Sequence, residues 1–378
     1  MSLSIQQEST LRLAPPFKRY VAACSFVLLG AAMASVAMGP ISVTLGQVAA
    51  SLMNVVGWHP PSFSDANRYH DLNSYYQLNS YLNVVIQQIR LPRTLLCISV
   101  GGILAICGAA MQGLFRNPLA DPSILGVSSG ASVGAALSIV AAGAISQYWS
   151  FLPAQVLSFW LTPAMAFVGA LVATILVYRL GTVLGRTSVN LMLLGGIAVG
   201  SIAGAVIGLL SYIADDQQLR ALSFWQMGSL EGASWPQIAL CWATLVGLVV
   251  YFQRQANALN ALLLGEAEAG HLGVNVHRLK LELIAFTAFG VSVAVSVSGI
   301  IGFVGLVVPH LIRLVLGPSH RHLLLLSALL GAILLLFADI ISRTAVTPAQ
   351  LPVGIVTAAI GAPFFIFLLL QQRRRFGG

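Results

Sequence analysis

Asp339 and Arg343 stand four residues apart inside an apolar run, a spacing that puts both side chains on one face of a helix. An intrahelical ion pair is the structural reading. An ionisable residue within an apolar span is also a functional candidate by default, and of the two Arg343 is the one able to do both. A second group, Trp58, His59, Tyr69, His70, Tyr75, Tyr76 and Tyr81, crowds the polar stretch before Arg90. Histidine and tyrosine can ligate haem iron. Tyrosine and tryptophan also gather in membrane-interface belts, and a lone loop histidine is otherwise merely solvated. Cys24, Cys97, Cys107 and Cys241 lie in apolar runs without metal-ligand spacing and read as small core hydrophobes. Gly-x-x-x-x-Gly-Lys-[Ser/Thr], His-Glu-x-x-His, Cys-x-x-Cys and a nucleophile elbow are all missing. The chain therefore reads as no enzyme, with any energy source on a separate chain. Carboxylates in the apolar runs are nearly absent, which argues against a proton-driven pump.

The elements that position these residues are helices in a membrane. The chain is 57% hydrophobic and 8% charged, against roughly 25% charged for a soluble domain. Alternating strands of about ten residues, the mark of a transmembrane barrel, are not seen. An all-α polytopic membrane protein follows, with ten spans near 20–39, 91–111, 124–143, 163–184, 191–213, 236–252, 279–299, 302–316, 323–342 and 352–370. Residues 1–19 form an N-terminal tail, 20–372 the transmembrane domain and 373–378 a C-terminal tail. The run after Lys18-Arg19 is long enough to span and is expected to be an uncleaved first helix. The longest polar stretch, about 57–88, is expected to be an outer loop.

Basic residues set the orientation. With both tails cytoplasmic, Arg68, Arg90, Arg93, Arg220 and Arg343 fall outside and the remaining fourteen of nineteen lysines and arginines fall inside. The span 191–213 carries Gly195, Gly196, Gly200, Gly204 and Gly208 on a flat face suited to close packing or to lining a path. The amphipathic piece after it, Ala214–Trp225, carries Arg220, whose charge meets solvent or lipid headgroups on the plain reading. The cytoplasmic stretch 257–277 is too polar to span and too apolar for a linker. Leu262, Leu263, Leu264 and Leu272 suggest two short helices joined at Gly265, with an apolar face that needs a protein partner or the bilayer surface.

One stretch, 90–134, organises the whole. Two small-residue helices flank the polar turn Arg116-Asn117-Pro118-Leu119-Ala120-Asp121-Pro122, and small residues let backbones approach closely in lipid. A loose inverted echo runs from Arg278-Leu279 through Gly299, Gly302 and Gly305 to Pro309-His310, as in transporters built from inverted repeats.

Four stretches together carry a resemblance: Arg90-Leu-Pro-Arg93; Met111-Gln-Gly-Leu-Phe-Arg-Asn-Pro-Leu-Ala-Asp-Pro122 with Leu125-Gly-Val-Ser-Ser-Gly-Ala131; Gly302-Phe-Val-Gly-Leu-Val-Val-Pro-His310; and Leu351-Pro-Val-Gly-Ile-Val356 with Gly361-Ala-Pro-Phe-Phe365. The chain resembles the FecCD-type permeases, the ten-helix membrane subunits of bacterial ABC importers for ferric siderophores, haem and cobalamin. The resemblance implies a homodimer in the inner membrane with one path between two copies. It also implies two cytoplasmic ATPase subunits that bind ATP and Mg, a periplasmic binding protein, and no cofactor bound by this chain. Nucleic acid has no place in it. It implies docking of the binding protein at Arg90, Arg93 and Arg343, and grip by the ATPase at Leu262, Leu264, Gly265, Glu266, Ala269, Leu272 and Gly273. An inner gate is implied at Asn117 and Leu119, with Asn190 near the same constriction. Arg220 matches an arginine at the outer mouth, where it could hold a carboxylate through paired hydrogen bonds. Gln350 departs from the pattern, which often has glutamate before Leu-Pro-Val-Gly. The run 113–122 looks most like the haem-importing branch, and Met111 and Met192 would give haem a soft apolar wall. Haem is thus the expected cargo, ahead of ferric siderophore and cobalamin. A secondary transporter or channel is the reading from another class, and it predicts flux through this chain alone, without ATP.

Overall fold

The computed structural model describes residues 17–39, 41, 43–55, 81–148, 154–183, 186–346 and 349–376. The first elements are α1 (Phe17–Ala37) and α2 (Leu45–Val55), followed by α3, the 34-residue helix Tyr81–Leu114. A 3-10 turn at Pro122–Leu125 leads into α4 (Val127–Tyr148). Next come α5 (Ala154–Gly181) and α6 (Val189–Ile213), joined by a hairpin pairing Thr182 with Thr187. The remaining elements are α7 (Asp216–Met227), α8 (Trp235–Leu264), α9 (Glu266–His271), α10 (Val276–Ser298), α11 (Val304–Leu316), α12 (His320–Thr344) and α13 (Val353–Phe376). Seven of these helices are long and apolar enough to cross a membrane, and Val127–Ala141, Val304–Leu316 and Val353–Phe367 are shorter apolar segments. Every expected span overlaps one of these ten.

Two boundaries differ for physical reasons. The expected outer loop lies outside the described residues up to position 80, but from Tyr81 the chain is already helical. Leu82, Val85 and Ile86 recur at helical spacing and bury against Val36, Val43 and Val48. Just before Pro92 the helix widens into a π-turn, Val85–Arg90, as suits a position where proline removes an N–H donor. The span expected to end near 252 runs on to Leu264 as one 30-residue helix. Residues 253–264 contain no glycine or proline to stop it.

α3 is the axis of the bundle, with most of its residues from Pro92 to Leu114 buried. Its glycines let neighbouring backbones touch. A Cβ at Gly101 would lie 2.5 Å from the Gly331 carbonyl oxygen of α12, and one at Gly108 would lie 1.9 Å from that of Gly305 in α11. The inverted echo is imperfect. α3 is continuous, whereas α10 ends at Gly299 (φ 67°) and α11 restarts after Phe303 (φ 68°), an unusual conformation for a non-glycine residue. This break is braced by the segment after α7. Ser229 N–H donates to Ser298 O at 2.8 Å, and Val353 N–H donates to Gly228 O at 3.1 Å.

Candidate functional site

In the first half of α3, two arginines meet one aspartate and a third lies close by. Arg93 Nε donates to Asp339 Oδ1 at 2.9 Å, and its Nη2 lies 2.8 Å from the same oxygen. Arg343 Nε lies 3.0 Å from Asp339 Oδ2, so the i,i+4 pair read from the spacing is present, with Arg93 as a third member. Arg93 Nη1 donates to Gln350 Oε1 at 2.7 Å and stands 3.9 Å from Glu231, which is largely exposed. Arg90 takes a different partner, the open end of α1. It donates to Val36 O at 3.0 Å, to Ala37 O at 2.7 Å and to Ile41 O. Arg343 joins it there through Ser35 O and Oγ and Met38 O. Cations suit a helix C-terminus, where unpaired carbonyls carry partial negative charge. Arg90, Arg93 and Arg343 are only 4%, 7% and 3% exposed. The residues that the resemblance assigns to docking thus spend most of their donors inside this chain.

Arg220 sits on α7 and is exposed. The helix is held by a capping box in which Asp215 accepts from Gln218 N–H and Gln218 accepts from Asp215 N–H. Behind it α6 presents an uncovered apolar face. Leu194, Ile197, Ile202 and Leu209 are each more than 60% exposed, and a Cβ at Gly204 or Gly208 would meet nothing within 4 Å. Asn190 is exposed at the opposite end of α6.

At the other end of α3, the polar turn is shaped by its own backbone. Asn117 Oδ1 accepts from Leu119 N–H at 2.9 Å, an Asx turn, and Asp121 caps the 3-10 turn by accepting from Ser123 N–H. Arg116 adopts φ 49° to leave the helix. Asn117 is exposed and Leu119 half-buried. A small cavity lined by Leu114, Phe115, Thr187, Val189, Lys280 and Ile284 places the start of α6, and so Asn190, beside this end of α3. Met111 and Met192, expected at the wall of a path, lie inside the packed chain. Both are fully buried within the chain, and Met192 fills the notch left by Gly181.

The stretch after α8 is an elbow. Gly265 (φ 134°) breaks α8 from α9, as its position suggested, although the first arm is the tail of the long α8 and not a short helix. Leu262 and Ala269 are buried and form the inside of the bend. Leu264 and Leu272 are 68% and 63% exposed on its outside, beside Gly273 (φ 84°). Lys280 Nζ donates to Glu266 Oε1 at 2.7 Å and ties α10 to α9.

Two contacts near the turn are not foreshadowed by any local motif. Gln112, 2% exposed, donates to Gly305 O and Leu306 O and accepts from Arg313 Nη1 at 2.6 Å. His320, fully buried, donates its backbone N–H to Asn260 Oδ1 at 2.8 Å, and its Nδ1 lies 3.1 Å from the same oxygen. The partners lie 60 and about 200 residues apart in sequence, beyond the reach of any spacing rule.

A bundle of long apolar helices, apolar faces left open on several of them and most of all on α6, and an apolar elbow at Gly265 suit a membrane permease. The FecCD transport family model matches residues 24–371. The chain belongs to that family and is an ABC importer permease. It is 46% identical over 77% of its length, and 84% of the relative's, to the hemin transport system permease protein HmuU of Yersinia pestis. It is 44% identical over 77% of its length, and 75% of the relative's, to the cobalamin import system permease protein BtuC of Halobacterium salinarum. The vitamin B12 import system permease protein BtuC of Vibrio cholerae is 41% identical over 76% of this chain and 83% of its own. A solved structure of an inward-facing metal-chelate type ABC transporter superposes with a TM-score of 0.75 at 28% identity, covering 94% of this chain and 99% of that one.

Proposed function

We propose that this chain is the membrane-spanning subunit of a haem importer in the bacterial inner membrane, with both tails cytoplasmic. Two copies enclose the path, two ATPase subunits supply ATP hydrolysis through the Leu264–Leu272 elbow, and a periplasmic protein delivers haem. The observation that carries this reading is the open face of α6. Its exposed Leu194, Ile197, Ile202 and Leu209 run between Asn190 and the helix bearing Arg220. A second copy facing it would close an apolar passage with a guanidinium at one mouth. Haem, a flat apolar ring with two carboxylates, suits such a passage, and the carboxylates suit Arg220. The 46% identity to a hemin permease supports the same cargo. Arg90, Arg93 and Arg343 then act chiefly by shaping the docking surface, since little of their own area is exposed.

The test is uptake into vesicles holding the permease, its ATPase and its binding protein, loaded in turn with haem, ferrichrome and cobalamin. Haem should accumulate only with ATP, and Arg220→Ala should slow it by about tenfold, the loss of one charge-assisted contact, with assembly intact. Accumulation of ferrichrome or cobalamin without haem would refute the cargo. Flux through this chain alone, without ATP, would refute the energy coupling.

A further inference from the structure

We propose that Asn260, His320 and Gly113 form a relay between the partner-facing elbow and the turn bearing Asn117 and Leu119, so that Asn260 and His320 are positioning residues for coupling ATP use to transport. The inference rests on the importer reading above. Asn260 lies on α8, one helical turn before Leu264, which is exposed at the elbow. Its Oδ1 receives the backbone N–H of His320 at 2.8 Å and stands 3.1 Å from Nδ1 of the same residue. An amide oxygen can only accept, so Nδ1 carries the proton and the ring is held in one tautomer.

The other ring nitrogen, Nε2, is buried without a hydrogen-bond partner and points at Gly113. A Cβ on Gly113 would lie 2.3 Å from it. Gly113 in turn holds the exit of α3: Arg116 N–H donates to Gly113 O, and Asn117 N–H donates to Gln112 O. Movement of the elbow is therefore passed along rigid α8 to the first residue of α12, and from there by direct contact to the root of the turn. A buried polar nitrogen without a partner costs free energy.

The experiment measures ATP hydrolysed per haem imported in vesicles holding the full transporter. Asn260→Leu should raise that ratio by about tenfold while ATPase activity and complex assembly persist. Asn260→Asp, which keeps the acceptor oxygen, should restore it. Should Asn260→Leu not assemble, a second pair decides. Gly113→Ala should raise the ratio, and adding His320→Ala, which vacates the contact, should make the Gly113→Ala change silent. An unchanged ratio in an assembled Asn260→Leu transporter, or strictly additive effects at Gly113 and His320, would overturn the relay while leaving the importer reading in place. Wild-type vesicles that import no haem with ATP would sink the importer reading and the relay with it.

Discussion

The two ends of α3 are held by different chemistry. At the end near Arg93, two buried guanidiniums share Asp339, with Glu231 at the rim, and a third, Arg90, is held by the carbonyls of α1. At the end near Gly113, the ties are amides, an imidazole and one guanidinium that meets an amide oxygen. Buried charges hold one another hostage, because removing one leaves the rest desolvated and unpaired. Neutral hydrogen bonds break singly, at about 1 kcal/mol each. The arginine end is thus expected to act as a fixed anchor, and the turn end as the place where a rearrangement can begin. Backbone geometry agrees, since Arg116 and Phe303, the non-glycine residues with positive φ among those described, stand at the exit of α3 and the start of α11.

The largest effect expected from this contrast is at Asp339. Asp339→Ala would leave Arg93 and Arg343 without their shared counter-ion in a site that is fully buried. A loss of about 3–5 kcal/mol is expected, enough to abolish folded protein in detergent when followed by size-exclusion and thermal melting. A variant that melts like wild type would remove the anchor from the account. At the turn end, Gln112→Leu removes the acceptor of Arg313 and the donor to Gly305 and Leu306. It should cost about 1–3 kcal/mol in the same melt. A larger loss than at Asp339 would reverse the comparison.

The sequence reveals one end more fully than the other. Asp339 and Arg343 are legible because helical spacing forces the contact, and the seven long apolar helices are legible because lipid demands long apolar runs. The elbow at Gly265 is legible because glycine interrupts a run of leucines. Arg93 reaches Asp339 from 246 residues away, and neither its type nor its neighbours announces that it is buried. The depth of Met111 and Met192 is equally silent in the sequence, since an apolar side chain looks alike whether it is packed inside or lies at a surface. His320 and Asn260 carry no local pattern at all. Their meeting depends on Gly113 leaving room for the ring, a fact of packing rather than of spacing.

The smallest effect expected is at Asn117, and it is the sharpest probe of the difference between the ends. Its side chain makes one exposed bond, to Leu119 N–H at 2.9 Å, within a turn only a few residues long. Asn117→Ala should lower stability by only about 0.5–1 kcal/mol, a shift in melting small beside that of Asp339→Ala. On the proposed gate role, transport should respond more than stability does, because a gate depends on the turn's conformation and not on its strength. Uptake of the proposed haem cargo that falls several-fold in a permease of near-normal melting temperature would place the moving part at this turn. Uptake and melting that change together, in proportion, would mean that the turn is held as rigidly as the arginine end and that the contrast between the two is one of chemistry without mechanical consequence.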